Sequence, residues 1–144
     1  MHMPKIFNTS LLGILLATIG FYMIGFVWFS ALFGEMWMTA TGITEEIAQA
    51  RMDALGPMFF IWGLLISLFQ VLGLAYVLNH ANASRLITSI KVSAVTALLI
   101  AIPISAYAVL YENGSVLSFK IGLGHTLVGY IFIGAVLSFF RRKT

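Results

Sequence analysis

Four long apolar stretches, separated by short polar segments, run through the sequence. Each is long enough for a membrane-spanning helix, which needs about 20 predominantly apolar residues. The first is longer than the core of a signal peptide, so we expect it to stay in the membrane. The pattern predicts an all-α, polytopic integral membrane protein: a single four-helix transmembrane domain over residues 1–144, with spans at about 9–33, 57–79, 88–110 and 116–140.

The polar segment between the first two spans predicts one shorter helix, over about residues 44–55. Thr44 can cap this helix and Glu45 and Glu46 fall in its first turn, where a hydroxyl accepts a free amide proton and acids complement the helix dipole. Gly56 would end it. Its apolar residues fall roughly on one face, so we expect an amphipathic helix lying on the membrane surface.

Composition agrees with a membrane protein. The chain is 60% hydrophobic and 9% charged, against about 25% charged in soluble domains, and its mean hydropathy is +1.00. The absence of cysteine excludes disulfides, thiolate metal sites and cysteine nucleophiles. The net charge of +3 is dispersed and forms no basic patch, so we expect membrane lipids as partners and no nucleic acid.

The distribution of basic residues predicts the orientation. Six of the eight Lys and Arg residues belong to the amino terminus, the second loop and the carboxyl-terminal tail: Lys5, Arg85, Lys91, Arg141, Arg142 and Lys143. Cytoplasmic segments carry such an excess in membrane proteins. We therefore expect a multi-pass protein of the bacterial inner (plasma) membrane with both termini in the cytoplasm.

An aromatic run from Gly25 to Gly42 joins the first span to the polar segment. Three Phe and two Trp fall within its first thirteen residues. Aromatic rings are favoured at the boundary between hydrocarbon and headgroups, so this run suits an interfacial anchor. The alternative is a groove that holds a lipid tail or another apolar ligand.

Depth in the membrane suggests which polar residues lie near this run. At about 1.5 Å of rise per residue, His125 lies roughly 10 Å below the outer boundary, level with Trp28, and Tyr107, Tyr111 and Glu112 lie just above it. An ionisable group inside a span is a candidate functional residue. A neutral histidine can equally well form a structural hydrogen bond to a neighbouring helix, and the sequence leaves both roles open.

Small residues predict close helix packing in the first and last spans. A glycine or alanine lets a neighbouring helix approach, and we assign this role to Gly13, Ala17, Gly20, Gly122 and Gly129. Gln70 is expected to form an interhelical hydrogen bond on the inner side, too deep to touch His125. Pro103 should kink the third span or free a backbone carbonyl.

Nothing in the sequence predicts enzymatic chemistry. His2, His80 and His125 fall in separate places, so no metal site is expected, and no serine has a recognisable base by spacing. The pair Gly122 and Gly124 lacks the preceding strand of a nucleotide-binding loop. We therefore expect no metal, no cofactor and no catalytic residues.

Several motifs resemble one family. These are Trp28-Phe-Ser-Ala-Leu-Phe-Gly-Glu-Met-Trp37, Gly42-Ile-Thr-Glu-Glu46 and Gly124-His125-Thr-Leu-Val-Gly-Tyr130, and together they resemble the bacterial four-span membrane proteins of domain-of-unknown-function family 1761. The resemblance implies the four-span architecture and no established activity. It also adds Ser30 and Trp37 to the candidate ligand-binding set, which becomes Trp28, Ser30, Trp37, Tyr107, Tyr111, Glu112 and His125.

The function expected from these observations is non-enzymatic. The chain would bind a lipid or apolar ligand at an outer-leaflet aromatic site, or serve as an accessory subunit, and its glycine-rich helices favour a homo-oligomer or a larger complex. The alternative is a transporter or channel for a small solute or ion, acting as an oligomer. Against it, no charged residue is predicted at the membrane midplane.

Overall fold

The computed structural model describes residues 4–141. Within this range, four helices are long and apolar enough to cross a membrane: Leu11–Leu32, Met58–His80, Leu86–Tyr111 and Val116–Phe139. The predicted all-α membrane fold is confirmed. In chain order the α-helices are α1 (Leu11–Val27), α2 (Gly34–Thr41), α3 (Glu45–Leu55), α4 (Met58–His80), α5 (Leu86–Thr96), α6 (Ile102–Tyr111) and α7 (Val116–Phe139).

Two of the spans contain a wide π-helical turn. The first span continues beyond α1 through Trp28–Leu32, and the third joins α5 to α6 through Ala97–Ala101. Pro103 follows the second of these turns. Because proline has no amide hydrogen, the carbonyl four residues before it loses its helical partner. This carbonyl belongs to Leu99, within the wide turn, so the turn coincides with the backbone irregularity that the sequence predicted at Pro103.

The segment between the first two spans holds two helices. The predicted surface helix is α3, and the Thr44 hydroxyl caps it by accepting the Ile47 amide at 3.3 Å. Gly56 follows it with a φ of 54°. The helix α2 was not predicted. It has only eight residues, and it ends at Gly42 in the left-handed conformation, φ 69°, which glycine adopts without strain.

The amino-terminal residues form a small hairpin that the sequence did not predict. Lys5–Ile6 pairs antiparallel with Thr9–Ser10, and the two residues of the turn have positive φ, 49° and 59°. Ser10 then caps α1 by accepting the Gly13 amide at 3.2 Å. The first span consequently begins at Leu11 and not at residue 9, because Thr9 and Ser10 are extended.

The hairpin joins the beginning and the end of the described chain at one end of the bundle. Thr9 forms a β-bridge with Arg141, and Arg141 Nη1 donates to the carbonyl of Ala75 in α4 at 3.3 Å. Burial lowers the pKa of the Arg141 guanidinium, although arginine stays protonated in proteins. The remaining basic residues of the tail, Arg142 and Lys143, lie outside the described residues, as does His2.

The last helix, α7, packs against α1, α4, α5 and α6. An added Cβ at Gly13 would collide with Phe140, one at Gly20 with Phe132 and one at Gly129 with Phe21, so these glycines permit close approach. Ala17 is fully buried. Gln70 forms an interhelical hydrogen bond, because its Oε1 accepts the Tyr130 hydroxyl at 3.2 Å between α4 and α7. Gly122, in contrast, has no heavy atom of the described chain within 4 Å of an added Cβ.

Candidate functional site

His125 lies in the middle of an aromatic cluster formed by α1, its wide turn and α7. Its ring stacks on Phe21 with a centroid distance of 5.3 Å, and the rings of Phe29 and Trp28 lie at 5.0 Å and 6.3 Å. Gly25 faces the imidazole. A Cβ there would lie 3.1 Å from His125 Nε2, so glycine gives this side chain its room.

The imidazole has an unusual hydrogen-bonding state. His125 Nε2 is buried and finds no hydrogen-bond partner within residues 4–141. The structural role considered for this histidine requires a bond to a neighbouring helix, and the described part of the chain does not provide one at Nε2. A buried polar group left unpaired costs about 1–3 kcal/mol. Such a group is a candidate for contact with a ligand.

Trp28 connects the first span to the last. Its indole Nε1 donates to the carbonyl of Ile121 at 3.0 Å, and its ring covers Gly124, where an added Cβ would lie 2.8 Å from the ring. Phe33 also packs against the indole, with a centroid distance of 4.9 Å. Trp28 therefore holds α1 against α7 one turn away from His125.

A cavity of about 310 Å³ opens between α2, α6 and α7, and we call it the aromatic cavity. Trp37 from α2 packs edge-on against Phe29 at 5.6 Å, so the unpredicted helix supplies part of its wall. Three aromatic rings line it, together with three hydroxyls, one imidazole and four small or aliphatic residues. The lining residues are Phe29, Trp37, Ser105, Ala108, Val109, Gly114, Ser118, Phe119, Gly122, His125 and Thr126.

A second cavity of about 300 Å³ lies between α1, α4 and α7, and we call it the α1/α4 cavity. Among the described residues, His125 is the only one that lines both cavities. Gln70 also lines this cavity. It forms no hydrogen bond with His125 in the described structure. The lining residues are Phe21, Tyr22, Gly25, Phe26, Phe59, Ile66, Ser67, Gln70 and His125.

Some predicted site residues lie elsewhere. Tyr107 and Tyr111 stack on each other at 5.7 Å on the outward face of α6, where they are 62% and 72% exposed. Glu112 is exposed beyond the end of α6. Ser30 is also exposed, and its hydroxyl donates to the Phe26 carbonyl at 2.6 Å. The structure therefore brings together Trp28, Trp37 and His125 of the predicted set.

The separation of the tyrosines has a simple geometric reason. Residues 107 and 111 are four apart and share one face of α6, whereas Ser105, Ala108 and Val109 face the aromatic cavity. Sequence reasoning also missed Ser118 and Thr126 as lining residues. Their spacing with Gly122 and His125, at i, i+4, i+7 and i+8, is that of a single helix face, and this signal was available in the sequence.

The described residues contain no group of three or more His, Cys, Asp or Glu side chains placed to hold a metal ion. His80 Nδ1 lies 3.0 Å from the Tyr76 carbonyl, in α4. The third histidine of the sequence, His2, lies outside the described residues.

Comparison with known proteins supports the family resemblance. No curated protein and no solved structure matches the chain significantly. A family described as "Protein of unknown function (DUF1761)" matches residues 12–138, which is most of the chain and includes the aromatic run, all four spans in large part and His125. The protein therefore belongs to the DUF1761 family of membrane proteins of unknown function.

Proposed function

We propose that this protein is a small, non-enzymatic membrane protein that binds a lipid chain or a similar apolar ligand in the aromatic cavity, alone or as an accessory subunit. The observation that carries the proposal is the cavity itself. Its volume of about 310 Å³ lies at the lower end of the range for ligand pockets, about 300–1,000 Å³. Aromatic and aliphatic residues with a few polar groups, as in this lining, are also typical of such pockets.

The glycines of α7 support this role. Added Cβ atoms at Gly124, Gly129 and Gly134 would collide with neighbouring helices, whereas one at Gly122 would meet no described heavy atom within 4 Å. Gly122 lines the aromatic cavity. Glycine at this position therefore keeps the cavity open, while the others bring helices together.

Tryptophan fluorescence offers a direct test. The chain has three tryptophans. A first variant keeps only Trp37 and carries W28F and W62F. A reference variant keeps only Trp62, which is 54% exposed on α4. A fatty acid with a brominated chain is titrated in detergent micelles. We expect saturable quenching of Trp37, because the bromine of a bound fatty acid lies near its ring. Quenching of Trp62 should not saturate, because it comes only from fatty acid that partitions into the micelle.

Filling the cavity is the matched test. Gly122→Leu should abolish the saturable quenching of Trp37, because the leucine side chain occupies the space that the ligand would take. Gly73→Leu is the control, since Gly73 also has no described heavy atom within 4 Å of an added Cβ but lines neither cavity. Equal quenching in both variants, or quenching of Trp37 that never saturates, would refute ligand binding in the aromatic cavity.

We also propose an inner-membrane location with both termini in the cytoplasm, supported by the basic residues counted above. Because the chain has no cysteine, Asn82→Cys and Asn113→Cys create single thiols in two exposed turns. In intact spheroplasts, we expect a membrane-impermeant maleimide to label residue 113 and to label residue 82 only after lysis. The opposite labelling pattern would reverse the orientation.

A further inference from the structure

We propose that the α1/α4 cavity is a second binding site, which holds an apolar molecule with a single hydroxyl group, such as a long-chain alcohol. In this arrangement the hydroxyl hydrogen-bonds to His125 Nε2 and to the side-chain amide of Gln70. The site goes beyond the function proposed above, because it lies between α1 and α4 and shares only His125 with the aromatic cavity.

The imidazole of His125 has an unpaired nitrogen within residues 4–141. His125 Nε2 is the atom that faces Gly25, at 3.1 Å from the Cβ position of that residue, and Gly25 lines the α1/α4 cavity and not the aromatic cavity. The buried nitrogen that lacks a partner within the described chain therefore lies against Gly25, at the wall of the α1/α4 cavity. In our proposal a rotation of the imidazole away from Gly25 brings this nitrogen to the ligand.

The other polar groups in this cavity differ in how fully they are hydrogen-bonded. Gln70 Oε1 already accepts the Tyr130 hydroxyl at 3.2 Å, which fixes the orientation of the amide. Gln70 Nε2 has two hydrogens, and its one described contact, with the Ile66 carbonyl, is long at 3.5 Å. The Ser67 hydroxyl, in contrast, is engaged with the Gly63 carbonyl at 3.0 Å. The cavity thus offers a donor at Gln70 and an unpaired nitrogen at His125.

These two groups favour a hydroxyl over other polar groups. In a neutral imidazole, Nε2 accepts in one tautomer and donates in the other. A carbonyl oxygen only accepts, so it suits one tautomer. A hydroxyl accepts from the Gln70 amide and can either donate to Nε2 or accept from it, so it pairs with both groups in either tautomer.

The rest of the cavity suits a hydrocarbon chain. Phe21, Tyr22, Phe26, Phe59 and Ile66 line it, and its volume of about 300 Å³ is that of a small ligand pocket. Phe26, Phe59 and Ile66 are exposed on the outside of the bundle, so the cavity opens towards the lipid between α1 and α4. A long chain can therefore place its hydroxyl at His125 and extend its far end into the bilayer.

The imidazole itself reports on occupancy. In a variant carrying H2Q and H80Q, His125 is the only histidine, and its ¹⁵N resonances are observed by NMR in detergent micelles. We expect dodecanol to produce a saturable shift of the Nε2 resonance, because a hydrogen bond forms there, and dodecane to produce none. An identical response to dodecane and dodecanol would overturn the proposal and indicate a cavity that takes hydrocarbon without recognition.

Substitutions in the cavity test the second contact. Gln70→Leu should weaken dodecanol binding by about three- to tenfold, which corresponds to the loss of one hydrogen bond of ordinary strength. Gln49→Leu makes the same change in α3, and because Gln49 does not line the α1/α4 cavity, the affinity should stay unchanged. Equal affinities in Q70L and the parent protein would contradict a role for Gln70 in recognition.

The two proposed sites can fail separately. Gly122→Leu fills the aromatic cavity and should leave the dodecanol-induced shift of His125 Nε2 unchanged, since Gly122 does not line the α1/α4 cavity. If G122L abolished the shift, dodecanol would be binding in the aromatic cavity and the second site would be refuted. If Trp37 quenching failed while the shift persisted, the aromatic cavity alone would be refuted.

Discussion

Gly134→Ala is expected to destabilise the folded protein by about 1–3 kcal/mol, the usual cost of overpacking a tight contact. The added Cβ would lie 2.8 Å from the backbone carbonyl oxygen of Ser89 and would collide with the Ser93 hydroxyl. Both residues belong to α5, the helix with which α7 has its most extensive contact. Because a backbone atom cannot rotate away, α5 has to move, and the loss appears in the unfolding midpoint in a denaturing-detergent titration.

The matched control is Gly122→Ala, on the same helix. Both substitutions remove the helix-propensity penalty of glycine, about 1 kcal/mol relative to alanine, but an added Cβ at Gly122 meets no described heavy atom within 4 Å. The difference between the two variants therefore isolates the packing contribution. If G134A and G122A had the same unfolding midpoint, the close approach of α5 and α7 would not contribute to stability.

The sequence predicts the helices of this fold better than its connections. Long apolar stretches determine the spans, because a membrane satisfies the backbone only in regular helices. Short elements leave weaker patterns. The hairpin Lys5–Ile6 with Thr9–Ser10 has two residues in each strand. Its bridge to Arg141 joins residues far apart in the sequence, and no local pattern shows such a contact.

The same distinction applies to the candidate site. Depth along a helix follows from counting residues, and it correctly placed Trp28 near His125. Counting residues does not show which face of a helix turns towards its neighbours, because that depends on tertiary packing. In α6 the face that carries Tyr107 and Tyr111 turns away from the cluster. The helix α2, which brings Trp37 to Phe29, was not recognised because all eight of its residues lie within the aromatic run.

Gly129 and Phe21 provide the second large effect, because they fix the spacing of α1 and α7 beside His125. Phe21→Ala should lower the free energy of unfolding by about 3 kcal/mol, the lower end of the range for such truncations. The loss is small because the unfolded chain in a membrane is also surrounded by an apolar solvent. Gly129→Ala should also destabilise, because its Cβ would collide with the Phe21 ring. In the double variant that collision disappears, so F21A/G129A should be no less stable than F21A.

The unfolding free energies of the four proteins give a coupling energy of about 1–3 kcal/mol in favour of the double variant, the size expected for residues in contact. The control is the cycle of Phe21→Ala with Gly13→Ala. Gly13 packs on Phe140 near the other end of α1, so its effect should simply add to that of F21A. A coupling near zero for Gly129 and Phe21 would mean that their contact does not set the distance between α1 and α7. Phe21 would then contact the His125 ring without limiting the approach of α7.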